Sequence, residues 1–203
     1  TKTKNAWQDY LHLMDYFFVV ADYLAINISS PNTENLRELS SDENLEFLLK
    51  KISQKKIQLE KMHEKHTSIF LKLSPDETDS NLERIIEISE RNNLDGFICS
   101  NTTTKHYYQK KGGMSGSGLS EKAQSLQKKV ASLKRESSLL IASGGVMSAE
   151  NVQERLSNSA DLVQLYTGYI YYGNSLLEEA LKVSSSWQNC KKYPILKKDE
   201  KFG

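Results

Sequence analysis

The sequence predicts an α/β protein built on a parallel sheet with helices on both faces. Three observations lead there. Five short apolar runs are near-continuous rather than alternating, the pattern of strands covered on both sides. Longer amphipathic stretches separate them, as in successive βα units. Polar residues and glycines crowd the ends of the apolar runs, where ligand sites collect in parallel sheets, whether open or closed into a barrel. At 203 residues the chain can bury a sizeable core without a disulfide or metal staple.

In chain order, Tyr10, Leu13, Met14 and Phe17 recur at helical spacing. Tyr23–Ile28 reads as a buried strand closed by Ser29-Ser30-Pro31-Asn32. Leu45, Leu48, Leu49 and Ile52 mark a helix face, with Ser40 and Glu43 as a capping box ahead of it. That segment runs to His66 with six lysines, which reads as a solvated face. The second strand is Ile69–Leu73, closed by Ser74-Pro75-Asp76. Ser80 with Glu83 opens a helix carrying Leu82, Ile85, Ile86 and Ser89 on one face. Gly96–Ser100 is the third strand, followed by Asn101-Thr102-Thr103-Thr104 and a Gly-rich loop from Lys105 to Gly118. A helix then turns Ala123, Leu126, Val130 and Leu133 inward. Leu139–Ser143 is the fourth strand, ending in Gly144-Gly145, and a short helix starts near Ser148. Leu162–Tyr166 is the fifth strand, and a last helix covers about Ser175–Ser186. The Lys-rich tail from Trp187 to Gly203 lacks periodicity and reads as a surface extension.

Composition excludes several classes. Lys+Arg is 27 and Asp+Glu is 26, a net charge of +1, without the basic excess of a general nucleic-acid binder. Two cysteines, Cys99 and Cys190, make no disulfide framework. The apolar stretch Phe17–Ala21 is too short to cross a membrane. His12, His63, His66 and His106 show no metal-ligand spacing, so no metal is expected. Cys99 lies inside a strand and reads as core; Tyr107-Tyr108 and the Tyr169–Tyr172 run read as packing or loop aromatics.

Chemistry collects at the strand ends. In Asn27-Ile28-Ser29-Ser30-Pro31-Asn32-Thr33, two asparagines bracket two serines. Amides offer donors and acceptors together, which suits a planar ligand with amide and imide groups. A serine can act there as a base only if its proton has an exit. The same residues also fit a Pro-Asn turn with capping serines. Lys72 sits in an apolar strand, where it either contacts an anion or cofactor, forms a Schiff base, or snorkels from the strand end. Gly112-Gly113-Met114-Ser115-Gly116-Ser117-Gly118 and Gly144-Gly145 each precede a helix, where backbone N–H groups can approach a phosphate. Together with Tyr166-Thr167, these late βα loops fit the phosphate site of a (β/α)8 barrel, and they match neither Gly-x-Gly-x-x-Gly nor a Walker loop.

Six motifs in register resemble the class 2 dihydroorotate dehydrogenases over roughly residues 1–182. They are Asn27–Thr33 with Leu36-Arg37, Lys72 in Leu-Lys-Leu-Ser-Pro-Asp, Ser100-Asn101-Thr102-Thr103, Gly112–Gly116, Ser143-Gly144-Gly145-Val146 and Leu162–Thr167. The resemblance implies an FMN-binding (β/α)8 TIM barrel that oxidises dihydroorotate to orotate in pyrimidine biosynthesis and passes the electrons to a quinone. It implies Ser30 as the base on C5 of dihydroorotate, with hydride leaving C6 for flavin N5; serine there rather than cysteine points to class 2. Asn27, Asn32, Asn101 and Thr102 match substrate-binding positions. Asn27, Lys72 and Ser100 match flavin contacts, and Gly116, Gly145, Tyr166 and Thr167 match positions around the FMN phosphate.

Set against that pattern, the chain holds about five of eight βα units. The resemblance makes residues 1–186 a partial barrel (strands 4 to 8) and 187–203 an extension. The family's three earlier strands and its small N-terminal helical domain, which meets quinone at a membrane, have no counterpart here, so a C-terminal fragment is expected. Membrane association follows by analogy only, and this portion alone is expected to be soluble. Two other readings stand beside the enzyme: a non-catalytic remnant, or a related FMN barrel acting on another pyrimidine-like substrate.

Overall fold

The structure, a computed structural model, describes residues 6–30, 36–107 and 111–190. Helix α1 (Ala6–Phe17) precedes five βα units: β1 (Tyr23–Asn27), α2 (Asp42–His63), β2 (Ser68–Lys72), α3 (Asp79–Arg91), β3 (Gly96–Cys99), α4 (Ser120–Leu133), β4 (Leu139–Ser143), α5 (Ala149–Ser157), β5 (Leu162–Gln164) and α6 (Thr167–Cys190). Short 3-10 turns, Leu36–Ser40 and Gly116–Leu119, lead into α2 and α4. All strand pairs are parallel, and strand order is chain order, β1-β2-β3-β4-β5.

Strand periodicity sends alternate side chains to two different cores. Ile26, Ile69, Leu71, Phe97, Cys99 and Leu140 face outward into the layer of helices, against Met14, Phe18, Leu45, Leu49, Ile85 and Val130. Phe70, Ile98 and Ile141 face the other way and form a small inner cluster under Tyr23. Tyr23 meets Phe70 edge-on, ring centroids 5.5 Å apart. The sheet is strongly curled. Flat, β1 and β5 would lie four spacings of about 4.8 Å apart, roughly 19 Å. Yet Gln164 Nε2 on β5 donates to the Tyr23 hydroxyl on β1 at 2.7 Å. The inner face is therefore concave, and the strand ends converge on one side of it.

An aspartate just before a strand twice reaches back to the preceding strand. The carboxylate of Asp95 accepts from Ile69 N at 2.7 Å and that of Asp161 from Leu140 N at 2.8 Å. Lys56 pairs with Asp95 at 2.6 Å.

Several expectations need correction. In α1 the buried stripe is Met14 with Phe18, flanked by Trp7, Tyr10 and Leu11, while Leu13 and Phe17 are exposed. The helix turns one residue from the expected face because it packs on α2 through the i, i+4, i+7, i+11 row that starts at Trp7. The α2 lysines do not all form a solvated face: Lys56 is buried in its ion pair, and Lys65, just past the helix, donates to the carbonyls of Val19 and Ala21 after α1. The α2 cap is Ser41 rather than Ser40, which belongs to the 3-10 turn. At α3 the cap is Thr78 rather than Ser80; its hydroxyl accepts from Asn81 N. Leu133 is exposed at the end of α4. Helix α6 starts at Thr167 and runs to Cys190 through a break at Gly173, whose φ of 58° is non-helical. Strand β5 ends at Gln164, two residues before the expected Tyr166, just ahead of α6 at Thr167.

Candidate active site

The C-terminal ends of the strands bring most of the singled-out residues together. Register aligns Asn27 with Lys72 and Ser143 with Gln164. The ladder continues past the strands: Ser100 N donates to Ser143 O at 2.7 Å and Asn101 N to Leu73 O at 2.8 Å. The Cys99–Ser100 peptide there is cis.

Two strand ends are tied across β2. Asn101 Nδ2 donates to Asn27 Oδ1 at 3.0 Å and to Ser29 Oγ at 3.1 Å, and Ser29 Oγ donates to Lys72 O at 2.7 Å. Asn101 Oδ1 accepts from Thr102 N at 2.9 Å. From the helix side, the Tyr10 hydroxyl donates to Asn27 O at 2.9 Å, and burial pushes its pKa up. The amides of Asn27 and Asn101 are thus held in fixed orientations, as recognition of a planar polar ligand requires.

A cleft of about 100 Å³ opens beside this knot. Lys72, Ser100, Asn101, Thr102, Gly116, Gly145, Tyr166 and Thr167 all line it. Ser100 Oγ donates to Asn101 O at 2.9 Å. Lys72 is half-buried, and burial pulls its pKa below the ordinary lysine value. Among the described residues, Thr102 Oγ1 is a buried hydroxyl with no hydrogen-bond partner, which leaves it available to a ligand.

The glycine end of the cleft is closely packed. Gly116 has φ +66° and a Cβ there would lie 3.1 Å from Thr167 Cγ2. Thr167 Oγ1 donates to Ser115 Oγ at 3.1 Å, so the loop before α4 touches the start of α6. Gly145 has φ +71°, and a Cβ would fall 2.2 Å from Ser120 Cα. Only glycine lets these three loops approach one another around a small ligand group.

Asn27 is tied to the knot through Asn101. Ser30 is half-buried after the locked Ser29, and Asn32 lies outside the described residues. The reading from sequence gave no role to Tyr10, which looked like any helix-face aromatic, nor to Ser29, Ser115 and Gln164, whose only signal was a place inside the motifs. Cys99 is fully buried behind the site and burial pushes its thiol pKa far up, so it is core. Among the described residues no group of His, Cys, Asp or Glu could hold a metal.

The profile of the dihydroorotate dehydrogenase family matches residues 1–183. The chain belongs to this family. Among its curated relatives, a quinone-type dihydroorotate dehydrogenase of Halorhodospira halophila is 35% identical over 192 residues, covering 91% of this chain and 56% of the relative. One from Dichelobacter nodosus is 39% identical over 194 residues, covering 91% and 57%. The ligand-free dihydroorotate dehydrogenase of Eimeria tenella superposes with a TM-score of 0.81 at 27% identity, over 92% of this chain and 56% of that one. The chain spans about half the length of the curated relatives it matches. Its curled five-stranded sheet is part of a (β/α)8 barrel.

Proposed function

We propose that this chain supplies five βα units of a quinone-linked dihydroorotate dehydrogenase, with FMN and dihydroorotate bound at the strand ends. One observation carries the reading: amide, hydroxyl, cationic and glycine positions from four successive strand ends line a single cleft. The residues fit the cofactor. Gly116, Gly145, Tyr166 and Thr167 make a cradle in which a Cβ would clash at Gly145 and crowd Thr167 at Gly116, suited to a phosphate. Lys72 and Ser100, with Asn27, would meet the flavin, and the buried Thr102 hydroxyl has no partner among the described residues.

Bound there, FMN supplies a two-electron acceptor for the hydride leaving C6 of dihydroorotate. Asn27, Asn32, Asn101 and Thr102 orient the ring of the substrate. Ser30 Oγ takes the proton from C5. A serine hydroxyl is a weak base at neutral pH, so its own proton must pass on as it acts. Ser29, donating to the carbonyl of Lys72, holds the backbone from which Ser30 projects. The quinone is the terminal oxidant, and because quinones partition into lipid the whole enzyme works at a membrane surface. Among the described residues no helix is long and apolar enough to cross one. No nucleic acid takes part, and the chain is near neutral at +1.

The purified full-length protein should be yellow, its flavin absorbance should bleach anaerobically with dihydroorotate, and a quinone should restore it. Ser30→Ala should slow the bleaching about 10²–10⁴-fold with flavin content unchanged. Colourless protein that ignores dihydroorotate would refute the reading, and a Ser30→Ala variant at full rate would remove Ser30 as base.

A further inference from the structure

Among the described residues Arg155, on α5, is the largest fully buried side chain, only 1% exposed. A buried cation is costly unless something compensates it. Among the described residues its hydrogen-bond acceptors are neutral: Ser120 O at 2.9 Å, Gly144 O at 3.1 Å, Gln127 Oε1 at 3.4 Å and Ser120 Oγ at 3.5 Å. Gln127 in turn donates to Arg155 O at 2.7 Å, so both ends of the pair are held.

Ser120 and Gly144 belong to the two segments that bring Gly116 and Gly145 to the cleft. The guanidinium holds the carbonyls of both segments, and Arg155 itself does not line the cleft. Those carbonyls are the negative ends of peptide dipoles, and an anion in the cleft would be repelled by them if they turned toward it. The loops also touch directly at Gly145 and Ser120. Burial lowers the pKa of the guanidinium, but arginine stays protonated in proteins, so the charge persists.

We propose that Arg155 is a positioning residue for the phosphate end of the cleft: a buried positive charge that turns the Gly144 and Ser120 carbonyls inward and favours a dianionic group on the other side of the two loops. The proposal rests on the FMN reading for the identity of that group, and it concerns a residue that would not touch the cofactor.

The test compares FMN with riboflavin, which lacks the phosphate, by flavin-fluorescence titration of the whole chain. Wild-type protein should prefer FMN. Arg155→Met should weaken FMN binding about 10–100-fold, while riboflavin affinity stays within about threefold. Arg155→Lys, which keeps the charge, should keep most of the preference. Should the methionine variant fail to fold, Arg155→Gln is the neutral substitute that can still donate to one carbonyl, and it should also lose the preference. Equal weakening of both flavins, or a neutral variant that still prefers FMN as strongly as wild type, overturns the proposal and leaves the FMN reading standing. Wild-type protein that binds neither flavin, or both alike, defeats the phosphate reading itself and this proposal with it.

Discussion

Lys72 ends β2 on the concave face, half-buried, with its pKa held down by burial. Because the folded value lies below the unfolded one, folding carries a penalty that is full at neutral pH. The penalty fades as the pH rises through the folded value toward the ordinary 10.5. Lys72→Met should therefore melt higher than wild type at neutral pH, with the gap closing in alkali, and should bind FMN more weakly; a lower melting point would show that the ammonium is already compensated. Gly145 should tolerate nothing larger. A Cβ at φ +71° and 2.2 Å from a backbone carbon should cost about 1–3 kcal/mol in urea denaturation of Gly145→Ala. Residues of this kind were legible in the sequence because a lysine, paired asparagines and double glycines are improbable at the ends of apolar strands. Arg155 was not legible, since a lone arginine on a short amphipathic helix looks like solvent-facing charge. Tyr10 was read only as part of a helical spacing, because the bond from its hydroxyl to Asn27 O spans 17 residues.

At the scale of elements, the loop after β3 is held by one carboxylate. Asp76, after β2, accepts from the Thr103 hydroxyl, from Thr104 N at 2.8 Å and Oγ1 at 3.0 Å, and from Lys122 Nζ at 3.2 Å. Burial works to raise its pKa, but these hydrogen bonds prevail and lower it. The stabilisation is thus present above the ordinary value of 3.8 and is lost as pH falls through the folded value. Asp76→Asn should cost about 1.5–3 kcal/mol at neutral pH, the range for hydrogen bonds to a charged group, and much less in acid. Denaturant melts at the two pH values would check this; a cost independent of pH would point to packing instead. Elements themselves were legible in number, kind and order, because apolar runs and amphipathic stretches obey different periods. Their ends were less so. Ser80-x-x-Glu83 has the pattern of a capping box, yet Thr78 wins because its extended backbone, ψ 158°, already starts the helix two residues earlier.

For the whole molecule, curvature was the hidden property. Nothing in local pattern says that Tyr23 and Gln164, 141 residues apart, will share a hydrogen bond. The resemblance to a barrel family implied it; the residues alone were compatible with an open sheet. Central and outer strands should also differ in stability. Strand β3 is buried at every position and paired on both sides, whereas Leu162 on β5 is 49% exposed. Native-state hydrogen exchange should therefore protect β3 amides most and those of β5 least, by one to several orders of magnitude in rate. Uniform protection across the sheet would mean that the five units open only as one.

Strand order that repeats chain order has a consequence for how the protein is made. A chain emerging from the ribosome at about 5–20 residues per second presents each new strand to a neighbour that is already complete. Among the five described strands, none has to wait for a distant one in order to pair with its sheet neighbour. The bond from Gln164 to Tyr23 is different: it requires β5 to find β1, 141 residues earlier, so the concave face can close only after β5 has been made.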